Sequence, residues 1–119
     1  MDKKKVLIID DETDFCLLLK SYFSRLQYDV TVAHRLQDGM QILQKDTPDI
    51  VFLDNNLPDG FGWDKTDFIL TNFPSLQLNL ISAYHYDKPK TSRNFKTSFL
   101  KIWEKPINLK ELGKFFYAW

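Results

Sequence analysis

Four apolar runs in this chain each lead into a residue able to handle a phosphate or a divalent cation. Val6-Leu7-Ile8-Ile9 runs into Asp10-Asp11, and Ile50-Val51-Phe52-Leu53 runs into Asp54. Leu78-Asn79-Leu80-Ile81 runs into Ser82. Phe99-Leu100-Lys101-Ile102-Trp103 is followed closely by Lys105-Pro106. A run without apolar–polar alternation suits a strand covered on both faces, the usual state of a parallel sheet sandwiched by helices. If these are parallel strands of one open sheet, their terminal residues share one edge, where open α/β sheets bind ligands. The pattern therefore predicts a single site holding carboxylates, a hydroxyl and an ammonium.

Helical patterns separate the runs. Residues 13–26 carry Phe15, Leu18, Leu19, Tyr22, Phe23 and Leu26 at i, i+3, i+4, i+7, i+8 and i+11, one broad apolar stripe. Residues 29–33 read as a short strand. Residues 36–45 read as a helix with Leu36, Met40 and Leu43 on one face, stopped by Thr47-Pro48. A strand over 49–54 leads to a turn-rich loop at 55–62, where Asn, Pro, Asp and Gly concentrate. Residues 63–73 form a helical stripe of Thr66, Ile69, Leu70 and Phe73, ended by Pro74. A strand follows at 76–81. The segment 83–98 contains Pro89 and few apolar residues, so its helix should be short or irregular. A last strand at 99–103 precedes a final helix over 106–119, with Leu109, Leu112, Phe116 and Trp119 facing inward. The fold class is thus α/β: a doubly wound (βα)5 arrangement with a five-stranded parallel sheet in the order 2-1-3-4-5 and right-handed crossovers.

Composition narrows the function. A chain of 119 residues fits one domain, and 44% hydrophobic content supports a real core. Sixteen basic and sixteen acidic residues cancel, so nothing global favours nucleic acid or a membrane surface. No apolar stretch reaches membrane-spanning length. The single cysteine, Cys16, precludes an internal disulfide and fits a reducing cytoplasm; it reads as a small helix residue without chemistry. His34 and His85 are isolated and read as surface or loop residues. Lys88, Lys90, Arg93, Lys96 and Lys101 form a basic stretch that reads as a solvated face. Phe115, Phe116, Tyr117 and Trp119 exceed what one core stripe needs, which leaves room for a partner contact such as a weak homodimer.

The chemistry sits in the strand-end residues. Asp10, Asp11 and Asp54 in one pocket repel one another and stay ionised together only with compensation. Mg²⁺ suits such a set, because it takes oxygen ligands and keeps several waters; Mn²⁺ is a plausible substitute. Lys105 adds a second positive charge. A carboxylate held this way can act as a nucleophile on a phosphoryl group. Taken singly, Asp10 and Asp11 could equally cap the first helix, and Asp54 could be an ordinary turn residue. Their joint placement with Ser82 and Lys105 favours the site.

The segments VLIIDDE at 6–12, IVFLDNNLPDGFG at 50–62, LISA at 80–83 and KP at 105–106 resemble, in order and spacing, a response-regulator receiver domain of two-component signalling. The resemblance spans essentially the whole chain, as a single receiver domain over 1–119. It implies that Asp54 is the phosphoacceptor, loaded by a sensor histidine kinase or phosphotransfer protein. It implies Mg²⁺ on Asp10, Asp11 and Asp54, with Asp11 the direct ligand and the backbone carbonyl of Asn56 completing the protein's share. Ser82 would be the hydroxyl switch and Lys105 the phosphate-pairing lysine, with a cis bond before Pro106. No enzymatic turnover is implied beyond self-phosphorylation and autodephosphorylation.

Two departures stand out. The family usually carries Tyr or Phe three residues before the lysine; here Ile102 stands there, with Trp103 next. The fourth-helix segment is poorly patterned. A switch would then rely on Ser82 and the 83–98 segment, with Tyr84, Tyr86 or Trp103 taking the aromatic part. The alternative function is a receiver-like interaction module that works without phosphate. A haloacid-dehalogenase-type phosphatase or a flavodoxin would need motifs after the first strand that Asp10-Asp11-Glu12-Thr13 does not supply.

Overall fold

The computed structural model describes residues 3–83 and 100–116. Numbering only the strands of the main sheet, β1 is Lys5–Ile9, β2 Asp29–Ala33, β3 Ile50–Asp54, β4 Gln77–Ser82 and β5 Leu100–Glu104. The order across the sheet is β2-β1-β3-β4-β5, parallel at every pairing. This is the expected topology. The helices are α1 at Thr13–Arg25, α2 at Leu36–Lys45, α3 at Thr66–Asn72 and α4 at Leu109–Phe116. The segment expected to hold a further helix between β4 and β5 lies outside the described residues, with Tyr84, His85, Tyr86, Lys88, Lys90, Arg93 and Lys96. Phe99, Tyr117 and Trp119 lie outside them too.

Every residue of β3 and β4 is buried, and so are the last four of β1. That leaves the sheet two cores, one on each face. On one side Val6, Ile8, Phe52 and Ile81 meet Phe15, Cys16, Leu19 and Phe23 of α1 and Leu112 and Phe116 of α4. On the other, Leu7, Ile9, Val51, Leu53, Leu78 and Leu80 meet Leu36 and Leu43 of α2 and Ile69 and Leu70 of α3. Alternate residues along a strand point to opposite faces, so each strand feeds both cores. Phe23 centres an aromatic cluster on the α1–α4 side that takes in Phe116. Its ring meets those of Tyr22, Tyr28, Phe52 and Phe116 at centroid distances of 5.2, 5.3, 5.6 and 5.3 Å.

The helices differ from the sequence reading at their ends. Leu18 is 44% exposed and Leu26 50% exposed, although both were placed in the α1 stripe. The buried arc centres on Phe15, Cys16, Leu19 and Phe23, which puts Leu18 past its edge, and Leu26 falls beyond the last helical turn. The third helix opens with a 3₁₀ turn at Gly62–Lys65. The final helix begins at Leu109, not at 106, because Asn108 caps it: its Oδ1 accepts the backbone N–H of Lys110 at 2.8 Å. Leu109 in this first turn is 40% exposed and does not face the core. The Lys105–Pro106 bond is cis.

Two polar side chains lie in the core of β4. Asn79 donates through Nδ2 to the carbonyl of Val51 at 3.1 Å and to Gln77 Oε1, and its Oδ1 accepts the Trp103 indole N–H at 2.8 Å. The network bridges β3, β4 and β5 on the α1–α4 face. Trp103→Phe would leave the buried Asn79 oxygen without that donor, a loss of about 1–3 kcal/mol. Urea unfolding should show it as a lower midpoint at unchanged slope. A midpoint equal to wild type would mean that the indole bond contributes nothing net.

Candidate metal centre

Strand register assembles the site. Ile9 pairs with Leu53, which sets Asp10 level with Asp54. Asp54 pairs with Ile81, so Ser82 stands one residue beyond. Ser82 pairs with Glu104, and its carbonyl accepts the Lys105 N–H at 2.8 Å. Asp10, Asp11, Asp54, Ser82 and Lys105 therefore share one edge, as the sequence pattern predicts. One carboxylate oxygen from each of the three aspartates lies within 4.8 Å of the others.

The loop after Asp54 is folded back tightly. Asn56–Leu57 and Gly60–Phe61 form a two-residue hairpin, and Asn55 accepts the N–H groups of Gly62 at 2.9 Å and Trp63 at 3.1 Å. A Cβ on Gly62 would sit 2.1 Å from the Asp54 carbonyl oxygen, so this close approach requires glycine. Asp59 clips the loop to α2, its carboxylate accepting the N–H groups of Leu36 at 2.7 Å and Gln37 at 2.9 Å. Those bonds hold its pKa below the ordinary carboxyl value.

Asp10 is fully buried and Asp54 is 5% exposed, whereas Asp11 is exposed. Asp10 Oδ1 accepts the Glu12 backbone N–H at 2.8 Å, and Oδ2 faces Lys105 Nζ at 2.9 Å. The same ammonium lies 2.9 Å from Glu12 Oε1 and 4.5 Å above the Phe15 ring. Lys105 thus pairs with Asp10 and Glu12. Burial pushes the Asp54 carboxyl up to about 6, with the Asp10 charge adding to the effect and Lys105 opposing it. Burial also raises Asp10, against the lowering pull of the Glu12 N–H and Lys105. For Lys105, burial disfavours the charge, but the bonds to Glu12 and Asp10 outweigh it and the pKa rises.

The three clustered aspartates thus have one ammonium beside them, and Lys105 shares it between Asp10 and Glu12. The protein atoms leave negative charge uncompensated in a buried place, and every donor aimed inward by the aspartates is an oxygen. That donor set fits a hard divalent cation.

Other residues singled out in the sequence fall elsewhere. Ile102 packs half-buried against the α2–α3 core, while Trp103 is buried on the opposite face, its indole N–H committed to Asn79. Trp103 is therefore a core residue on the α1–α4 side, where it cannot fill a space beside Ile102. Lys101 extends over the rings of Trp103 and Phe115 at 5.1 and 5.7 Å. Two contacts were missed. Cys16 Sγ lies 3.2 Å and His34 Nδ1 2.9 Å from the Asp10 carbonyl oxygen. The signal for His34 was available in the strand order: pairing Ile9 with Ala33 puts the next residue of each strand side by side. Burial and the Asp10 charge push the Cys16 thiol up to about 12, which makes it inert as a nucleophile.

Residues 6–116 match the family model for the response regulator receiver domain. Among curated proteins the chain is similar to the response regulator protein PilR of Pseudomonas aeruginosa, 32% identical over 84 residues. The match covers 71% of this chain and 19% of PilR, so the chain spans about a fifth of that relative's length. Among solved structures it resembles a two-component response regulator from Clostridium difficile, with a TM-score of 0.82, 22% identity, and coverage of 98% and 94% of the two chains. It also resembles the response regulator protein TrrA of Thermotoga maritima in complex with Mg(2+)-BeF, with a TM-score of 0.78, 21% identity, and coverage of 97% of each chain. At these identities the two structures speak for the fold.

Folding raises the Asp54 pKa from 3.8 to about 6, so its contribution to stability is full below the lower value and lost as pH rises through the upper one. Asp54→Asn deletes the charge. In metal-free buffer at neutral pH the variant should exceed wild type by on the order of 3 kcal/mol, taking about 1.4 kcal/mol per tenfold in proton affinity. Urea titrations across the acidic to neutral range should show wild type losing stability where the variant loses less. Identical profiles would mean that Asp54 feels no such burden.

Proposed function

The chain belongs to the response regulator receiver domain family, and on that footing we propose that it is a phosphoacceptor switch of two-component signalling, loaded at Asp54. The observation that carries this reading is the convergence of Asp10, Asp11 and Asp54 within 4.8 Å of one another, beside Lys105 and Ser82. The proposed donor is a sensor histidine kinase or a phosphotransfer protein, and the output is an altered surface for a partner. The reading treats residues 1–119 as one receiver domain at work in the cytoplasm. Its turnover is limited to self-phosphorylation and autodephosphorylation at Asp54. Among the described residues no helix is long and apolar enough to cross a membrane.

Asp54 is the nucleophile. With its pKa near 6 it is mostly ionised at neutral pH, while burial keeps it poorly solvated and ready to attack phosphorus. The new bond joins a carboxylate oxygen to phosphorus. The bond to the donor's imidazole nitrogen, or to the oxygen of an acyl phosphate, breaks, and the leaving group keeps its electron pair. Asp10, Asp11 and Asp54, with the backbone carbonyl of Asn56, are the proposed ligands for Mg²⁺ or Mn²⁺. A bound cation would supply positive charge against the phosphoryl oxygens and the carboxylates. Asp11 is the better direct ligand, because both oxygens of Asp10 already have partners in the Glu12 N–H and Lys105. Lys105 would leave Glu12 for a phosphoryl oxygen, a short swing for a flexible stem. Ser82, at the end of the neighbouring strand, would hydrogen-bond another.

Incubation with acetyl phosphate and Mg²⁺ should add one phosphoryl group by intact mass. The added mass should vanish in Asp54→Ala and without metal. Labelling that persists in Asp54→Ala would reject Asp54 as the acceptor, and labelling that persists without metal would reject the cation's part in the reaction. No labelling in wild type despite measured metal binding would favour a receiver-like interaction module that works without phosphate.

A further inference from the structure

The three carboxylates are not held equally. Asp54 ends a fully buried strand inside the β1–β3–β4 ladder. Asp10 has its carboxylate fixed by the Glu12 N–H and by Lys105. Asp11 is exposed, and its carboxylate makes no hydrogen bond or ion pair among the described residues. Its direction is set by its backbone alone, and hence by the peptide plane that joins it to Asp10.

That plane lies just past the end of β1. The Asp10 N–H still belongs to the sheet, donating to the Ala33 carbonyl at 3.0 Å. The Asp10 carbonyl is received by two side chains instead: His34 Nδ1 at 2.9 Å, from the end of β2, and Cys16 Sγ at 3.2 Å, from α1. A carbonyl oxygen only accepts, so Nδ1 carries the ring proton in this contact and the thiol donates as well. Two donors from two different elements restrain rotation of the plane more than either would alone. Neither residue reaches the three-carboxylate cluster itself.

We infer that His34, assisted by Cys16, is a positioning residue for the cation site: it locks the Asp10–Asp11 peptide so that Asp11 is presented to a divalent ion. The inference rests on the cation-binding reading of the pocket. Partners behind a metal ligand commonly matter for affinity although they never touch the ion. Here the partner acts one step further back, through the backbone of the ligand.

The test exploits which ring nitrogen is used. In His34→Asn the side-chain amide nitrogen falls near the place of Nδ1, whereas in His34→Gln it falls near that of Nε2. Mn²⁺ affinity of the full chain, read by electron paramagnetic resonance of the free ion, should be lost in Asp11→Asn. It should weaken by about tenfold in His34→Ala, the low end for an indirect partner, and further in the Cys16→Ala/His34→Ala double variant. His34→Asn should return close to wild type and His34→Gln should behave like His34→Ala. In metal-free protein the backbone amide resonance of Asp11 should shift in His34→Ala and return in His34→Asn. Equal Mn²⁺ affinity across the His34 variants, or Asn and Gln behaving alike, overturns the positioning role while the cation site stands. If the wild-type chain binds no Mn²⁺, the reading of the site falls and the positioning role falls with it.

Discussion

Coverage of the central strands on both faces is the constraint from which the other features follow. β3 and β4 expose no residue, and β1 exposes none after its first. A polar side chain inside such a strand must find a partner in the core or it costs stability. Gln77 and Asn79 are the instances here, and Asn79 is tied to Val51, Gln77 and Trp103. Other polar residues collect at the strand ends. Because the strands are parallel, the carboxyl ends fall on the same side, so Asp10, Asp54 and Ser82 meet without any local signal directing them together.

What the sheet gathers, it also strains. Asp10 and Asp54 are almost wholly removed from water, and both carboxyls are pushed up mainly by burial. Lys105 offsets this only in part, since its ammonium is shared between Asp10 and Glu12. An apolar core would avoid the cost. A pocket that needs a further positive charge to become comfortable is a pocket suited to binding one. The backbone around it is correspondingly tight: glycine is required at position 62, and the Asp10 carbonyl is held from two sides.

The far edge of the sheet divides its residues between the two cores. Adjacent residues of a strand face opposite ways, so Ile102 and Trp103 serve different cores. Trp103 packs edge-on against Phe115 and donates to Asn79, which commits it to the α1–α4 side. Trp103 and Ile102 are neighbours in the chain but lie on opposite faces of the sheet. Period-two geometry, rather than residue type, decides the point.

The sequence by itself determined the order of the described strands and helices, the parallel sheet and its strand order, and the identity of the strand-end residues at the site. These follow from signals local in the chain, namely apolar runs, helical spacing and turn residues, together with a topology that few chains of this pattern can avoid. It did not determine helix ends or which apolar positions face solvent. Leu18, Leu26 and Leu109 fit their stripes by period and are exposed because of where each helix stops and what lies beside it. Nor did it determine the partners of the site residues. His34 was an isolated histidine and Cys16 a small helix residue until β2 and α1 were laid against the end of β1, and Glu12 became a partner for Lys105 only once β5 had closed the sheet, across 93 positions of sequence. Residue type and periodicity are written in one dimension; a hydrogen bond depends on distance and direction in three, and those exist only after the strands have taken their register.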